Sequence, residues 1–417
     1  MEDASVGELV EDLFRRESAH LISALVRLLG PSNLALAEDV VHDALLSAMQ
    51  AWRFGAPDNP KAWILQVAKN RALDLIRRER RFDALRPQLD AEQGFAGALD
   101  VGLSPEADAD NQLAMMFAIC DDALSPETHV TLILRLLGGL SSAEIARAFL
   151  VDVQTIDRRL HRGRMRLKAL GQLHDVGARA EVRARQPSVE QALYLLFNEG
   201  YHGSDADNPL QPALCADAIR LVELMLQANA VEKSTVHALA ALFCLNAARL
   251  PSRLDEAGVI VPLAEQDRAR WDRPLLERGL LHLSSSAGGQ QWTRFHLEAG
   301  IAFEHSRALS IEATDWGRIA ELYDALYALS PSPVVALNRG LALAEHRGLA
   351  VGREALLALE NEPQLAEYSF YWAARADIER RAGTVALAVT FYRRAIERAL
   401  SRAERLAYER RLRSLAD

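Results

Sequence analysis

Apolar residues recur at three- and four-residue steps through most of this chain, and the strict alternation of a half-buried strand is absent, so the pattern predicts an all-α protein. Between Pro60 and Arg81 the residues Trp63, Ile64, Val67, Ala68, Ala72, Leu75 and Ile76 form one stripe along a single helix. A second pattern begins at Leu140. Ile145, Ala146, Phe149 and Leu150 make the inner face of a short helix, and after a turn Ile156, Leu160 and Leu167 continue that face along a longer one. Further on, helical periodicity runs over Val189 to Phe197, Leu214 to Ala228, Thr235 to Ala248, Trp271 to Leu283, Trp292 to Ser306 and Asp315 to Leu329, and then to the end.

The charges fall outside these stripes. Lys61, Lys69, Arg71, Arg77, Arg78, Arg80 and Arg81 lie largely off the first one, opposed only by Asp74 and Glu79, with Trp63 near the start. A basic helix end with an aromatic suits holding DNA and an unstacked base; a solvated basic face with Trp63 in the core is the plainer alternative. The segment from Ser141 to Lys168 is a helix-turn-helix pattern. Ser141 and Glu144 have capping-box spacing at its start. Arg158, Arg159, Arg162, Arg164, Arg166 and Lys168 point away from its core, with Asp157 as their counter-charge, which suits phosphates and guanine edges. The formal net charge is nevertheless -9 and the pI about 5.7. Two basic patches on an acidic body fit specific docking better than general adhesion to polyanions.

On these residues, the first ~170 positions resemble an extracytoplasmic-function sigma factor of bacterial RNA polymerase. Ala37 to Leu45, followed by Ala51-Trp52-Arg53, matches the family's acidic helix; His42 stands where glutamine is more usual. The resemblance implies that Asp39, His42 and Asp43 dock on the β′ clamp of core polymerase, with the β subunit as a further contact. It implies that Lys61, Trp63, Lys69, Asn70, Arg71, Arg77, Arg78, Arg80 and Arg81 read and open the minus-ten element. It assigns Thr155, Arg158, Arg159, His161, Arg162 and Arg164 to the minus-thirty-five element of promoter DNA. The turn at Phe149 to Asp152 lacks the glycine often found there. The extruded-base pocket is sought at Arg53 to Asn59.

The expected organisation is a region 2 domain over 1–83, an acidic linker over 84–111, a region 4 helix-turn-helix domain over 112–173 and a helical extension over 185–417. Proline and acids without helical period argue for the linker, and the resemblance implies that it threads toward the polymerase active centre. No apolar run has the length of a membrane span, and the acidic start does not read as a signal peptide, so the expected location is the cytoplasm. Cys120, Cys215 and Cys244 are far apart and form no Cys-x-x-Cys pair, so buried free thiols are expected, with neither metal nor cofactor.

The extension exceeds the common sigma plan. Leu337 and Trp372 are separated by the same interval as Gly348 and Gly383, about 35 residues, close to the tetratricopeptide repeat. Trp372, Ala376, Gly383, Ala388, Tyr392 and Ala395 fall at that motif's packing positions, which implies stacked helix pairs and a groove for a protein or peptide segment. Leu195 to His202 and Glu265 to Asp272 resemble signature stretches of the helical extension that small groups of these factors carry. Asn198, Glu199, His202, Glu265, Asp267 and Asp272 show no recognised ligand spacing or nucleophile-base arrangement, so no enzyme is expected, and helix termination at Gly200 with packing roles is the reading preferred. The expectation is therefore a promoter-specificity subunit. The competing one is a helix-turn-helix regulator with a tetratricopeptide-like sensor, which has no need of the acidic helix.

Overall fold

The computed structural model describes residues 17–30, 33–52, 55–82, 105–120, 123–149, 151–169, 179–203, 209–228, 230–289 and 291–415. Helices make up the described residues apart from turns and one isolated bridge between Leu254 and Ile260. The chain divides into two compact units, one of residues 1–196 with 227–231 and one of 197–226 with 232–417.

In the first unit, helix α1 (residues 17–29) buries Leu21, Ile22, Leu25 and Val26. Helix α2 (Leu34–Ala51) buries Leu34, Ala37, Val40, Val41, Ala44, Leu45 and Ala48 on one face and packs against α3 (Pro60–Phe82). Asn59 accepts from the Ala62 amide at 3.1 Å and Pro60 occupies the first turn, so α3 starts where an orphan N–H is capped and a missing one does no harm. Among the described side chains its fully buried row is Ile64, Ala68 and Ala72, with Trp63 and Val67 half-buried beside it; those of Leu75 and Ile76 lie outside the described residues.

Helix α4 (Pro105–Ala118) begins inside the segment read as linker, because a proline that punctuates a coil is equally at home in a first helical turn. The rest of the linker, 84–104, lies outside the described residues. Helix α5 (Pro126–Leu136) is capped by Ser125 and buries His129 to Leu134 almost entirely. Helices α6 (Ser142–Phe149) and α7 (Val153–Ala169) pack on α5 and on each other. Helix α8 (Arg179–Tyr201) begins ten residues before the start read from periodicity and carries Pro187 in its interior. Its packing, with Arg185 donating to the Phe117 carbonyl at 3.1 Å, outweighs the lost backbone bond.

The second unit begins with the end of α8. The helix does not stop at Gly200 but runs on to Tyr201, and Gly200 keeps an ordinary backbone. A Cβ there would stand 2.9 Å from the Cys215 amide and the Gln211 carbonyl, so glycine is required by close approach rather than by termination. Helices α9 (Pro212–Met225), α10 (Lys233–Ala247), α11 (Arg273–Ser286) and α12 (Arg294–Arg307) follow, and α10 is buried along nearly its whole length. The signature stretches act as staples between these helices. Arg253 donates to the Tyr201 carbonyl at 2.7 Å and lies 4.0 Å from that ring's centroid, Trp271 donates to Ser252 Oγ at 2.9 Å, and Gln266 bridges Arg249 and the Val261 carbonyl. Asp267 and Asp272 cap the helical turns they precede.

The repeating part comprises α13 (Trp316–Leu329), α14 (Pro333–Arg347), α15 (Leu349–Leu357), α16 (Pro363–Ala366), α17 (Ser369–Arg381), α18 (Val385–Glu397) and α19 (Arg402–Arg413). Leu337 and Trp372 are both buried, and Gly348 and Gly383 both take positive φ, 97° and 80°, within two residues of a helix end. The interval read from sequence is thus a structural period. Trp372, Ala376, Ala388, Tyr392 and Ala395 all lie in the core.

Candidate nucleic-acid interface

The helix-turn-helix is built from its caps. Glu144 donates its backbone N–H to Ser141 Oγ at 3.2 Å, and its carboxylate receives the Ser141 amide at 2.7 Å, which closes the expected capping box. In the turn without glycine, the Val151 amide reaches back to the Ala146 carbonyl at 3.0 Å. Asp152 then caps α7 by accepting from the Thr155 amide at 2.7 Å and from its hydroxyl at 2.9 Å. Those bonds hold the exposed Asp152 carboxyl below its usual range. The Thr155 hydroxyl is therefore engaged in capping.

Gly163 explains how α7 lies so close to α5. A Cβ at Gly163 would stand 2.7 Å from a Leu132 methyl, so a residue unfavourable inside a helix is kept for the approach it permits. Ile156, Leu160, Gly163 and Leu167 are buried as a result, and Arg158, His161 and Arg162 are left exposed on the opposite face. Arg159 is less free than its neighbours, because its guanidinium lies 5.1 Å from the Phe149 ring centroid and is half-buried there.

On α3, Lys61, Asn70 and Arg71 are exposed, and Lys69 is half-buried. Lys61 pairs with Glu17 at 3.0 Å, and Asn70 accepts from Gln66 at 3.1 Å. Trp63 is half-buried edge-to-face against the buried Trp52, ring centroids 5.4 Å apart. One edge of Trp63 thus serves the core and part of the ring stays accessible. Arg77, Arg78, Arg80 and Arg81 continue the helix, but their side chains lie outside the described residues, as do Arg53 and Phe54 of the segment sought as a pocket.

Asp39, His42 and Asp43 are all exposed on the outer face of α2, opposite Val40, Val41 and Ala44. Sequence reasoning missed Glu38, one residue earlier. Its carboxylate takes a bidentate contact from Arg164, 3.0 Å at Nε and 2.7 Å at Nη2, across 126 positions of chain. A cavity of about 380 Å³ lies between α2 and the helix-turn-helix, lined by Glu38, Asp39, His42, Arg135, Gly139 and Arg164. The structure therefore brings one residue assigned to DNA up to the acidic helix assigned to polymerase. Short-range periodicity carries no signal for such a contact.

Comparison with known proteins agrees with this geometry. Residues 13–82 match the profile of Sigma-70 region 2 and residues 122–167 that of Sigma-70, region 4. Residues 185–287 match a family of unknown function, DUF6596. The chain is similar to the uncharacterized protein R00370 of Rhizobium meliloti (strain 1021), 33% identical over 379 residues that cover 89% of this chain and 88% of the relative. It is also similar to the RNA polymerase sigma factor CarQ of Myxococcus xanthus, 27% identical over 161 residues that cover 38% of this chain and 87% of that protein. Two sigma regions in order, on helices that expose an acidic face and a basic recognition helix, together with a likeness that extends through the C-terminal part, lead to one conclusion: the chain belongs to the RNA polymerase sigma factors of extracytoplasmic-function type and carries a C-terminal helical extension.

Proposed function

We propose that Asp39, His42 and Asp43 form the docking face for the β′ clamp of core polymerase, with β as a second contact, and that α7 enters the upstream promoter element through Arg158, His161 and Arg162. What supports this reading above all is the division of α2 and α7 into one buried and one charged, exposed face. Strand opening is assigned to α3. An exposed edge of Trp63 beside Lys61, Lys69, Asn70 and Arg71 suits capture of an extruded base, whose unstacking costs a few kcal/mol that stacking and phosphate contacts offset. Arg77, Arg78, Arg80 and Arg81 extend the same strip in sequence.

The Glu38–Arg164 pair adds a condition. Arg164 contacts DNA only when Glu38 lets go, so binding of polymerase at the neighbouring Asp39 and His42 and binding of DNA at α7 favour the same released state. Thr155 and Arg159 then act mainly by holding the recognition helix in shape. The protein works in the cytoplasm, where polymerase is, and as a binding factor rather than an enzyme; no helix among the described residues is long and apolar enough to cross a membrane. The extension receives a protein or peptide segment in its groove and modulates the sigma part.

Transcription reconstituted with sigma-free core polymerase tests the reading. The wild-type chain directs initiation from its promoter, and D39R/D43R loses both initiation and retention of core polymerase in a pull-down. Retention undiminished by that double reversal would remove the docking assignment.

A further inference from the structure

Within the part of the chain matched by the family of unknown function, three side chains from three helices converge. A carboxylate oxygen of Glu223 on α9, the thiol sulfur of Cys244 on α10 and a ring nitrogen of His282 on α11 lie within 4.8 Å of one another. They are 21 and 38 positions apart in sequence, so no ligand motif announces them. Cys244 is fully buried, and Glu223 and His282 keep partial access to solvent.

We propose that Glu223, Cys244 and His282 bind a borderline-soft divalent cation of the zinc class. Sulfur, imidazole nitrogen and carboxylate oxygen are the donors such an ion takes, at about 2.0 to 2.3 Å each, and harder cations such as magnesium or calcium would not select a thiolate. Ligand atoms around a tetrahedral ion of that size stand roughly 3.3 to 3.8 Å apart. The 3.3 Å separation of His282 Nε2 and Glu223 Oε1 already has that value.

The surroundings supply what a site of this kind needs beyond its ligands. The other ring nitrogen of His282, Nδ1, is 3.0 Å from His237 Nδ1. With the His282 proton on Nδ1, donated to His237, its Nε2 lone pair faces the Glu223 oxygen. Two acceptors then confront one another unless a cation lies between them. A ligating histidine whose second nitrogen is fixed by a hydrogen bond is the usual outer arrangement of such sites. The opposite proton order, His237 to His282 to Glu223, satisfies the same three groups with no ion, and the experiment separates the two.

Arg278 grips both oxygens of Glu223. A carboxylate has about four lone-pair positions, so two remain for a metal, and the guanidinium orients the group. Glu223 and Arg278 also line a cavity of about 500 Å³ with Cys215, Arg220, Asp272 and Leu275, so open space reaches the cluster on its Glu223 side. The ion would tie α9, α10 and α11 together in the middle of the extension's first half. None of this depends on the sigma assignment.

Cobalt(II) is the probe, titrated into the full chain after removal of metals by a chelator. One equivalent should produce a saturable thiolate-to-cobalt absorption that zinc displaces. Cys244→Ser should abolish the band, while Cys120→Ser and Cys215→Ser retain it. Because a buried substitution can perturb folding, Glu223→Gln, at a partly exposed position, provides the second reading: at least tenfold weaker cobalt binding with unchanged helical circular dichroism. His237→Gln, a positioning change, should weaken binding 10- to 100-fold and leave the band in place. The proposal is overturned if no saturable band forms at one equivalent, or if Cys244→Ser gives the wild-type spectrum.

Discussion

Arginine plays opposite parts in the recognition helix and in the repeating half of the extension. On α7, Arg158 and Arg162 stand exposed above a face buried by Ile156, Leu160 and Leu167. In the extension, Arg353 pairs with Glu379, Arg381 with Glu345, Arg411 with Asp377, and Arg375 and Arg394 lie over Phe391 and Trp372 at 4.3 and 4.6 Å. The first set projects into solvent, where the proposed function gives it an outside anion, and the second is spent on the fold. Net charge alone does not distinguish them, and whether the partner is another residue of the chain does.

Reversing both exposed charges, R158E with R162E, should therefore give the largest effect on function: loss of specific transcription by two orders of magnitude or more, with stability within about 0.5 kcal/mol of wild type in urea unfolding. A large fall in stability would put these arginines in the same class as those of the extension. The counterpart is Trp372→Ala, expected to cost about 3 to 5 kcal/mol by emptying the core and removing the ring beneath Arg394, as read by denaturant unfolding. A cost under 1 kcal/mol would mean that the extension's cations do not depend on their internal partners.

Gly163→Ala sharpens the comparison within the sigma part. The added methyl would press on Leu132, an overpacking cost of about 1 to 3 kcal/mol, against roughly 1 kcal/mol gained in helix propensity, so a modest net destabilisation and weaker duplex binding are expected. Glu38→Gln should raise the affinity of the isolated chain for upstream-element duplex a few-fold in fluorescence anisotropy, since a half-exposed ion pair contributes little beyond about 1 kcal/mol. Unchanged affinity would show that release of Arg164 is not limiting.

The last prediction concerns acid. Burial, with Arg249 and Arg268 beside it, pushes the His305 pKa down to about 3. Between its ordinary value near 6.5 and 3 the unfolded chain takes up a proton that the folded one refuses, so stability declines as pH falls through that window. His305→Gln should flatten this slope in urea midpoints measured from pH 7 to 4. An unaltered slope would assign it to other groups.

Most helices of the molecule were readable from periodicity, because each needs only its own stripe: α13 begins one residue from its expected start, with Asp315 as its cap. Proline misled once, at Pro105, since its local preference is the same whether it punctuates a coil or opens a helix, and α8 starts ahead of Val189 because its packing carries it through Pro187. Glycine misled once, at Gly200, where the demand is space and not backbone sign. Of the candidate site, the exposed acids of α2 and the basic face of α7 were legible because a helix fixes which residues share a side. The Glu38 contact to Arg164 and the meeting of Glu223, Cys244 and His282 were not, because they depend on how separate helices come together.

The matching left-handed joints at Gly348 and Gly383 have an architectural corollary. Gly348 stands between α14 and α15, and Gly383 between the end of α17 and the start of α18, so a segment cut after each, residues 349–383, carries one such glycine at its end. Deleting that cassette joins Gly348 to Thr384 and duplicating it joins Gly383 to Leu349, so a glycine of positive φ stands at the new junction in either case. The repeating half of the extension can thus lengthen or shorten in whole modules while the sigma regions keep their sequence.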